Sequence, residues 1–138
     1  MAQAQEHSKH REVTEGVLKV FYAVYNELGS GFLESIYQAA MSKALRQAGF
    51  QVIEQAPIPV WFRGEVIGEF RADIVVNGVV LLELKAVETL VDGHRNQLLN
   101  YLRATEIEVG LLLNFAEVLQ IRRVVYENER KKIRKNLR

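Results

Sequence analysis

Apolar residues recur at helical spacing through the first third of the chain and change to the shorter rhythm of strands near residue 51. Val13, Val17, Val20, Phe21, Val24 and Leu28 form one stripe, which predicts a helix from about Ser8 to Leu28. Leu18, Tyr22 and Tyr25 widen that stripe, so this helix is expected to be covered on more than one side, with a second subunit as a candidate cover. Gly29 fits a C-cap and Ser30 an N-cap for the next helix. That helix runs from about Phe32 to Ala48, with Leu33, Ile36, Tyr37, Ala40, Met41, Ala44, Leu45 and Ala48 as its apolar stripe, and Gly49 ends it.

The strand rhythm opens with a short lead-in, Gln51 to Gln55. Pro57 and Pro59 then punctuate a strand from Ile58 to Phe62, which suits a sheet edge because proline cannot donate to a ladder. Arg63-Gly64 makes a tight turn into a long strand, Glu65 to Val76, with a bend expected at Gly68. Val79 to Ala86 is the third strand, apolar enough for burial on both faces. A third helix follows from Asp92 or Gly93 to Thr105. Leu98, Leu99 and Leu102 form its core face, with His94, Gln97 and Tyr101 alongside. Ile107 to Asn114 and Val118 to Tyr126 are the fourth and fifth strands. The helix between strands three and four makes those two strands parallel with a right-handed crossover, and the remaining connections are short enough for hairpins. The expected sheet is mixed, in sequential order, with strands two and five antiparallel to the rest.

Charges interrupt this pattern where it is most apolar. The hairpin Arg71 to Ala86 carries Asp73 on one arm and Glu83 and Lys85 on the other, around Asn77-Gly78, a strong hairpin signal. Charges in a core-grade ribbon are costly unless paired, metal-bound or functional. Glu83 and Lys85 share a face, and taken alone they read as a structural ion pair at a sheet end. Asp73 joins them only if the turn allows it. A two-residue Asn77-Gly78 loop sets Asp73 opposite Leu82 and points it away from Glu83. A three-residue loop, Val76-Asn77-Gly78 with a bulge at Gly78, pairs Val75 with Val79 and sets Asp73 opposite Leu81, on the Glu83 side. The bulged form, or an equivalent distortion, is the expectation.

Composition narrows the chemistry. The chain has 138 residues, 49% hydrophobic and 25% charged, enough for one domain with its own core. It has no cysteine, which excludes disulfides, thiolate metal sites and a cysteine nucleophile. No run approaches membrane-spanning length and the N-terminus lacks a secretory apolar segment, so a cytoplasmic protein is expected. Net charge is +1, which argues against a wholly basic nucleic-acid coat. Basic residues gather at the C-terminus, from residue 127 to 138, among them Arg130, Lys131, Lys132, Arg134, Lys135 and Arg138. This stretch reads as a solvated or frayed tail, or else as an arm that tracks phosphates. The three histidines form no zinc pattern and phosphate-cradling glycine loops are absent. Two carboxylates near a strand end can instead hold a hard cation, with a lysine to serve a water or a phosphate.

The spacing of Asp73, nine residues, Glu83, one residue, Lys85 resembles the PD-(D/E)XK nuclease superfamily. The order of elements, helix, three antiparallel strands, helix, strand, resembles its core. Gln97-Leu-Leu-Asn-Tyr101 is similar to the Q-x-x-x-Y motif of the RecB-type branch. Gly31-Phe-Leu-Glu34-Ser-Ile-Tyr37 is similar to the signature of the GxxExxY family grouped with these nucleases. Ala72 stands where the superfamily pattern has proline. The resemblance covers roughly Phe21 to Val125. It implies a restriction-endonuclease-like three-layer α/β/α fold in a single domain, residues 1–138. It further implies a Mg²⁺- or Mn²⁺-dependent nuclease acting on DNA rather than RNA. The alternative is an inactive module of the same fold that binds nucleic acid or a protein partner. Asp73 and Glu83 would ligate metal with the Leu84 carbonyl, Glu34 would add an acidic ligand, and Lys85 would assist the attacking water. Gln97, Tyr101 and, less directly, His94 would position phosphate or water. So small a nuclease has little surface to hold a duplex, and a homodimer is expected.

Overall fold

The computed structural model describes residues 9–132. In chain order these form α1 (Arg11–Leu28), α2 (Glu34–Gln47), β1 (Val52–Phe62), β2 (Glu65–Val76), β3 (Val80–Lys85), α3 (Asp92–Arg103), β4 (Val109–Asn114) and β5 (Gln120–Val125), with a 3-10 turn at Asn128–Arg130. The expected start of the first helix at Ser8 and the basic residues Arg134, Lys135 and Arg138 lie outside the described residues.

α1 closes on Gly29, whose N–H reaches the Tyr25 carbonyl at 2.7 Å. α2 begins three residues later than the Ser30 cap predicted: its N-cap is Leu33, in extended conformation. The reason is Tyr37. Its hydroxyl donates to the Gly29 carbonyl at 2.6 Å and accepts the Phe32 N–H at 3.2 Å, so the turn's polar groups are served by a phenol rather than a serine. Gly31 takes φ 106 in that turn, a conformation that side-chain-bearing residues rarely adopt. The Tyr37 ring is fully buried and stacks on Phe115, centroids 4.1 Å apart.

The five strands form one sheet in the order β1-β2-β3-β4-β5. β3 and β4 run parallel, and the other three neighbouring pairs are antiparallel. The lead-in and the proline-containing strand are one continuous edge strand, β1, in which Pro57 and Pro59 pair with Arg71 and Glu69. The register of β1 and β2 shifts between Val60 and Trp61, close to the bend expected at Gly68. β3 and β4 are the apolar centre, and all six residues of β4 are buried.

Two apolar clusters hold the helices to the sheet. One joins Val17, Phe21, Tyr37, Met41 and Leu45 of α1 and α2 to Ile74, Leu82, Leu84, Leu111 and Leu113. The other joins Leu98, Tyr101 and Leu102 of α3 to Val75, Leu81, Leu112 and Val124. Each such buried large side chain stabilises the fold by roughly 1.5–3 kcal/mol. Gly110 lets α3 approach: a Cβ there would lie 2.7 Å from Leu98 Cδ1. The stretch predicted to fray is in part built into the fold. Lys131 is 2% exposed and donates to the carbonyls of Thr105 and Ile107 at 2.9 and 2.7 Å, closing the α3–β4 connection.

Candidate active site

The β2–β3 turn decides the site. Asn77 and Gly78 both take positive φ, 52° and 69°, and the Val79 N–H reaches the Val76 carbonyl at 3.0 Å. The ladder pairs Val76 with Val80, Val75 with Leu81 and Ile74 with Leu82. The loop is therefore Asn77-Gly78-Val79, not the expected Val76-Asn77-Gly78, and the extra residue is Val79. Asp73 consequently lies opposite Glu83 rather than Leu81. Both three-residue loops keep Asp73 on the side of Glu83, because only an odd slip moves a side chain to the other face.

Regular pairing ends at Ile74 and Leu82. Beyond it, side chains replace the ladder. Glu83 Oε1 accepts the Asp73 N–H at 3.2 Å, and Asp73 Oδ2 accepts the Leu84 N–H at 2.7 Å. The N–H and C=O of one strand residue leave the same edge, so the Leu84 carbonyl is directed into this opening as well. The same level breaks the alternation of β1 and β2. Val52 and Ile74 belong to the α1–α2 cluster, whereas Ala56, Phe70 and Ala72 belong to the α3 cluster. Residues at even spacing thus change face across Gln55 and Asp73, and Gln55 takes φ 48.

The electrostatics follow from burial. Glu83 is 3% exposed. Burial, then the Asp73 charge, raises its carboxyl from 4.5 to about 8, against the lowering effects of its hydrogen bond to Asp73 and of Lys85. Asp73 is also raised, first by burial, with the Leu84 N–H, Lys85 and Gln55 opposing. Tyr101 is raised by burial and by both carboxylates, and its hydroxyl accepts from Gln97 Nε2 at 3.0 Å. Its ring lies 4.9 Å from that of Phe70 on β2. The Q-x-x-x-Y pair thus faces the opening from α3, and Lys85 leaves β3 two residues beyond Glu83.

Two expected site residues stand apart. Glu34, in the first turn of α2, is exposed and reaches Glu83 only through its charge. It does not converge with Asp73 and Glu83, and among the described residues no three His, Cys, Asp or Glu side chains are arranged to hold a metal ion. His94 Nδ1 accepts the Val91 N–H at 3.0 Å, so this nitrogen caps α3. The remaining donors still suit a cation: two facing carboxylates and a carbonyl directed at one opening, where neither carboxylate forms a salt bridge among the described residues.

A family model described as the PD-(D/E)XK nuclease superfamily matches residues 11–124. The chain belongs to that superfamily. Comparison with curated proteins and with solved structures gave no match. Membership in the PD-(D/E)XK superfamily suggests a nuclease, whose substrate is nucleic acid. No helix among the described residues is long and apolar enough to cross a membrane.

Polar residues that the sequence pattern did not single out surround Asp73 and the segment after Lys85. Gln55 Nε2 donates to Gln38 Oε1 at 2.6 Å and to Asp73 Oδ1 at 3.4 Å. Asn114, fully buried and paired in register with Lys85, holds both the N–H and the carbonyl of Val87, at 3.0 and 2.9 Å. Gln120 Oε1 accepts from Asn114 Nδ2 and from the Leu90 N–H. Together they fix the segment after Lys85, which walls a cavity of about 680 Å³ with Ser30, Gly31 and Phe115. Asn114 had a readable signal, a lone amide closing an apolar strand. Gln38 and Gln55 had none, since nothing in their spacing says that β1 lies across from Asp73.

Proposed function

We propose that this protein is a divalent-cation-dependent nuclease that takes Mg²⁺ or Mn²⁺ and cuts DNA rather than RNA. Within the superfamily we assign it to the GxxExxY group on Gly31, Glu34 and Tyr37. The Gln97 and Tyr101 pair supports assignment to the RecB-type branch, and with it the restriction-endonuclease-like three-layer α/β/α arrangement. The observation that carries the reading is the meeting of Asp73 and Glu83 where the β2–β3 ladder opens. A divalent cation bound there supplies Lewis-acid polarisation of the phosphodiester. Asp73, Glu83 and the Leu84 carbonyl would hold it. Lys85 orients the attacking water and offsets charge developing on the phosphate. The Tyr101 hydroxyl, held by Gln97, positions the phosphate.

The test is degradation of a mixed set of DNA and RNA substrates with Mg²⁺ or Mn²⁺. Wild type is expected to cut DNA and Glu83→Ala to lose both cation binding and cutting. Lys85→Met should bind the cation but not cut. Neither cutting nor cation binding by wild type would leave a nuclease-fold module that binds nucleic acid or protein without hydrolysis.

We further propose that the active form is a homodimer. Tyr22 on α1 and Phe32, Leu33 and Ile36 at the start of α2 are large apolar side chains left exposed, which supports a partner surface on these two helices. Light scattering at micromolar concentration should give twice the chain mass of 15.8 kDa, and a monomeric mass would count against it.

A further inference from the structure

Among the described residues four non-glycine positions have positive φ: His10, Gln55, Arg63 and Asn77. His10 caps α1, and Arg63 and Asn77 sit in hairpin turns. Gln55 alone lies within a strand. Such a conformation costs on the order of 1–3 kcal/mol and persists only where surrounding contacts enforce it. It falls at the level where β1 and β2 exchange faces, between Glu54 paired with Ile74 and Ala56 paired with Ala72. Regular pairing thus brackets Gln55 and Asp73 on both sides and omits them. The kink releases Asp73 from the β1 ladder just where the β2–β3 ladder also releases it.

The side chain of Gln55 uses that freedom. Its Nε2 spans from Gln38 Oε1, one turn beyond Glu34 on α2, to Asp73 Oδ1. The other oxygen of Asp73 is fixed by the Leu84 N–H at 2.7 Å. One carboxylate oxygen thus meets a donor from β3 and the other a donor from β1, the second from the exposed Gln55 side chain at 3.4 Å. Gln38 Oε1 accepts from the same Nε2 and so adds to the preference for turning the amide N–H end, rather than its oxygen, toward Asp73.

We infer that Gln55 is a positioning residue for the cation site, setting the rotation of the Asp73 carboxylate, and that Gln38 sets the orientation of Gln55. The inference rests on the cation-dependent reading given above. Both amides act through Asp73 and neither touches the reacting phosphate. Partners that orient a metal ligand typically change affinity 10–100-fold when removed. The strained φ of Gln55 is then maintained by function: Gln55→Gly would relieve it while removing the amide.

The experiment is Mn²⁺ titration by calorimetry, with melting curves of the metal-free proteins, on wild type, Gln55→Met, Gln55→Gly, Gln38→Met and the Gln38→Met/Gln55→Met double variant. Gln55→Met is expected to weaken Mn²⁺ at least tenfold, and Gln38→Met, which leaves β1 untouched, severalfold. The double variant should be no weaker than Gln55→Met, because the two amides act in series. Gln55→Gly should melt no lower than wild type without metal yet bind Mn²⁺ as poorly as Gln55→Met. Wild-type Mn²⁺ affinity in either Gln55 variant, or additive losses in the double variant, would overturn the inference and leave the cation-dependent reading standing. Absence of Mn²⁺ binding by wild type itself would overturn both.

Discussion

Glu83 is where the chemistry of single residues is most exposed to test. Its carboxyl is raised from 4.5 to about 8 by burial first and by Asp73 second. A carboxyl raised on folding binds more protons in the folded state. Its stabilising contribution is therefore complete below about pH 4.5 and is lost as pH rises through about 8. Asp73 shifts in the same direction. The metal-free protein should melt progressively lower between pH 5 and pH 8, by an amount on the order of a few kcal/mol. Glu83→Gln should flatten most of that slope and melt higher than wild type at pH 8. Added Mg²⁺ should raise the wild-type melting temperature more at pH 8 than at pH 5, because protons compete for the same oxygens. A wild-type melting temperature that rises with pH over this interval, in a chelator, would contradict the assignment. An ordinary buried ion pair between Glu83 and Lys85 would behave oppositely, with loss of either partner costing about 3–5 kcal/mol.

At the scale of elements, the site depends on how closely α3 lies on β4, because α3 carries Gln97 and Tyr101. Gly110 sets that distance by leaving room for Leu98. Gly110→Ala should destabilise by about 1–3 kcal/mol through overpacking, and displace Tyr101 from the carboxylates. Leu98→Ala in the same chain opens space for the added methyl, so the double variant should recover part of the loss expected from adding the two single changes. Urea unfolding of the four proteins measures this directly. A neutral Gly110→Ala would mean that α3 does not rest on this glycine.

Across the whole molecule, stability should be graded from the centre of the sheet outward. β3 and β4 are covered by helices through two separate clusters, whereas β1 is an edge with Pro57 and Pro59, and Phe62, Val66 and Ile67 near the β1–β2 turn are exposed. Local opening costs least where few buried contacts must break. Amides of β3 and β4 should exchange with solvent slowest, and those flanking Arg63-Gly64 fastest. If the hairpin tip were as protected as β4, a partner would have to cover it, and that surface rather than the α1–α2 face would be the dimer contact to examine.

Periodicity by itself determined the three helices, the five strands, their sequential order and the crossover that makes β3 and β4 parallel. These follow from apolar spacing and from connection lengths, which are local properties of the chain. Asn77-Gly78 announced the hairpin for the same reason, and the spacing of Asp73, Glu83 and Lys85 pointed to the superfamily that the family model also matches. The turn's extra residue was not legible. Placing it at Val79 instead of Val76 depends on how Asn77 Oδ1 meets the Gln51 N–H at 2.8 Å, a contact across 26 residues. Only the tertiary structure decided the rest of the site. It left Glu34 in solvent, gave His94 to a helix cap, and brought Gln38 and Gln55 to Asp73. Those outcomes depend on where β1 kinks and how α2 lies across it, and such distances between elements are set by packing that no single segment encodes.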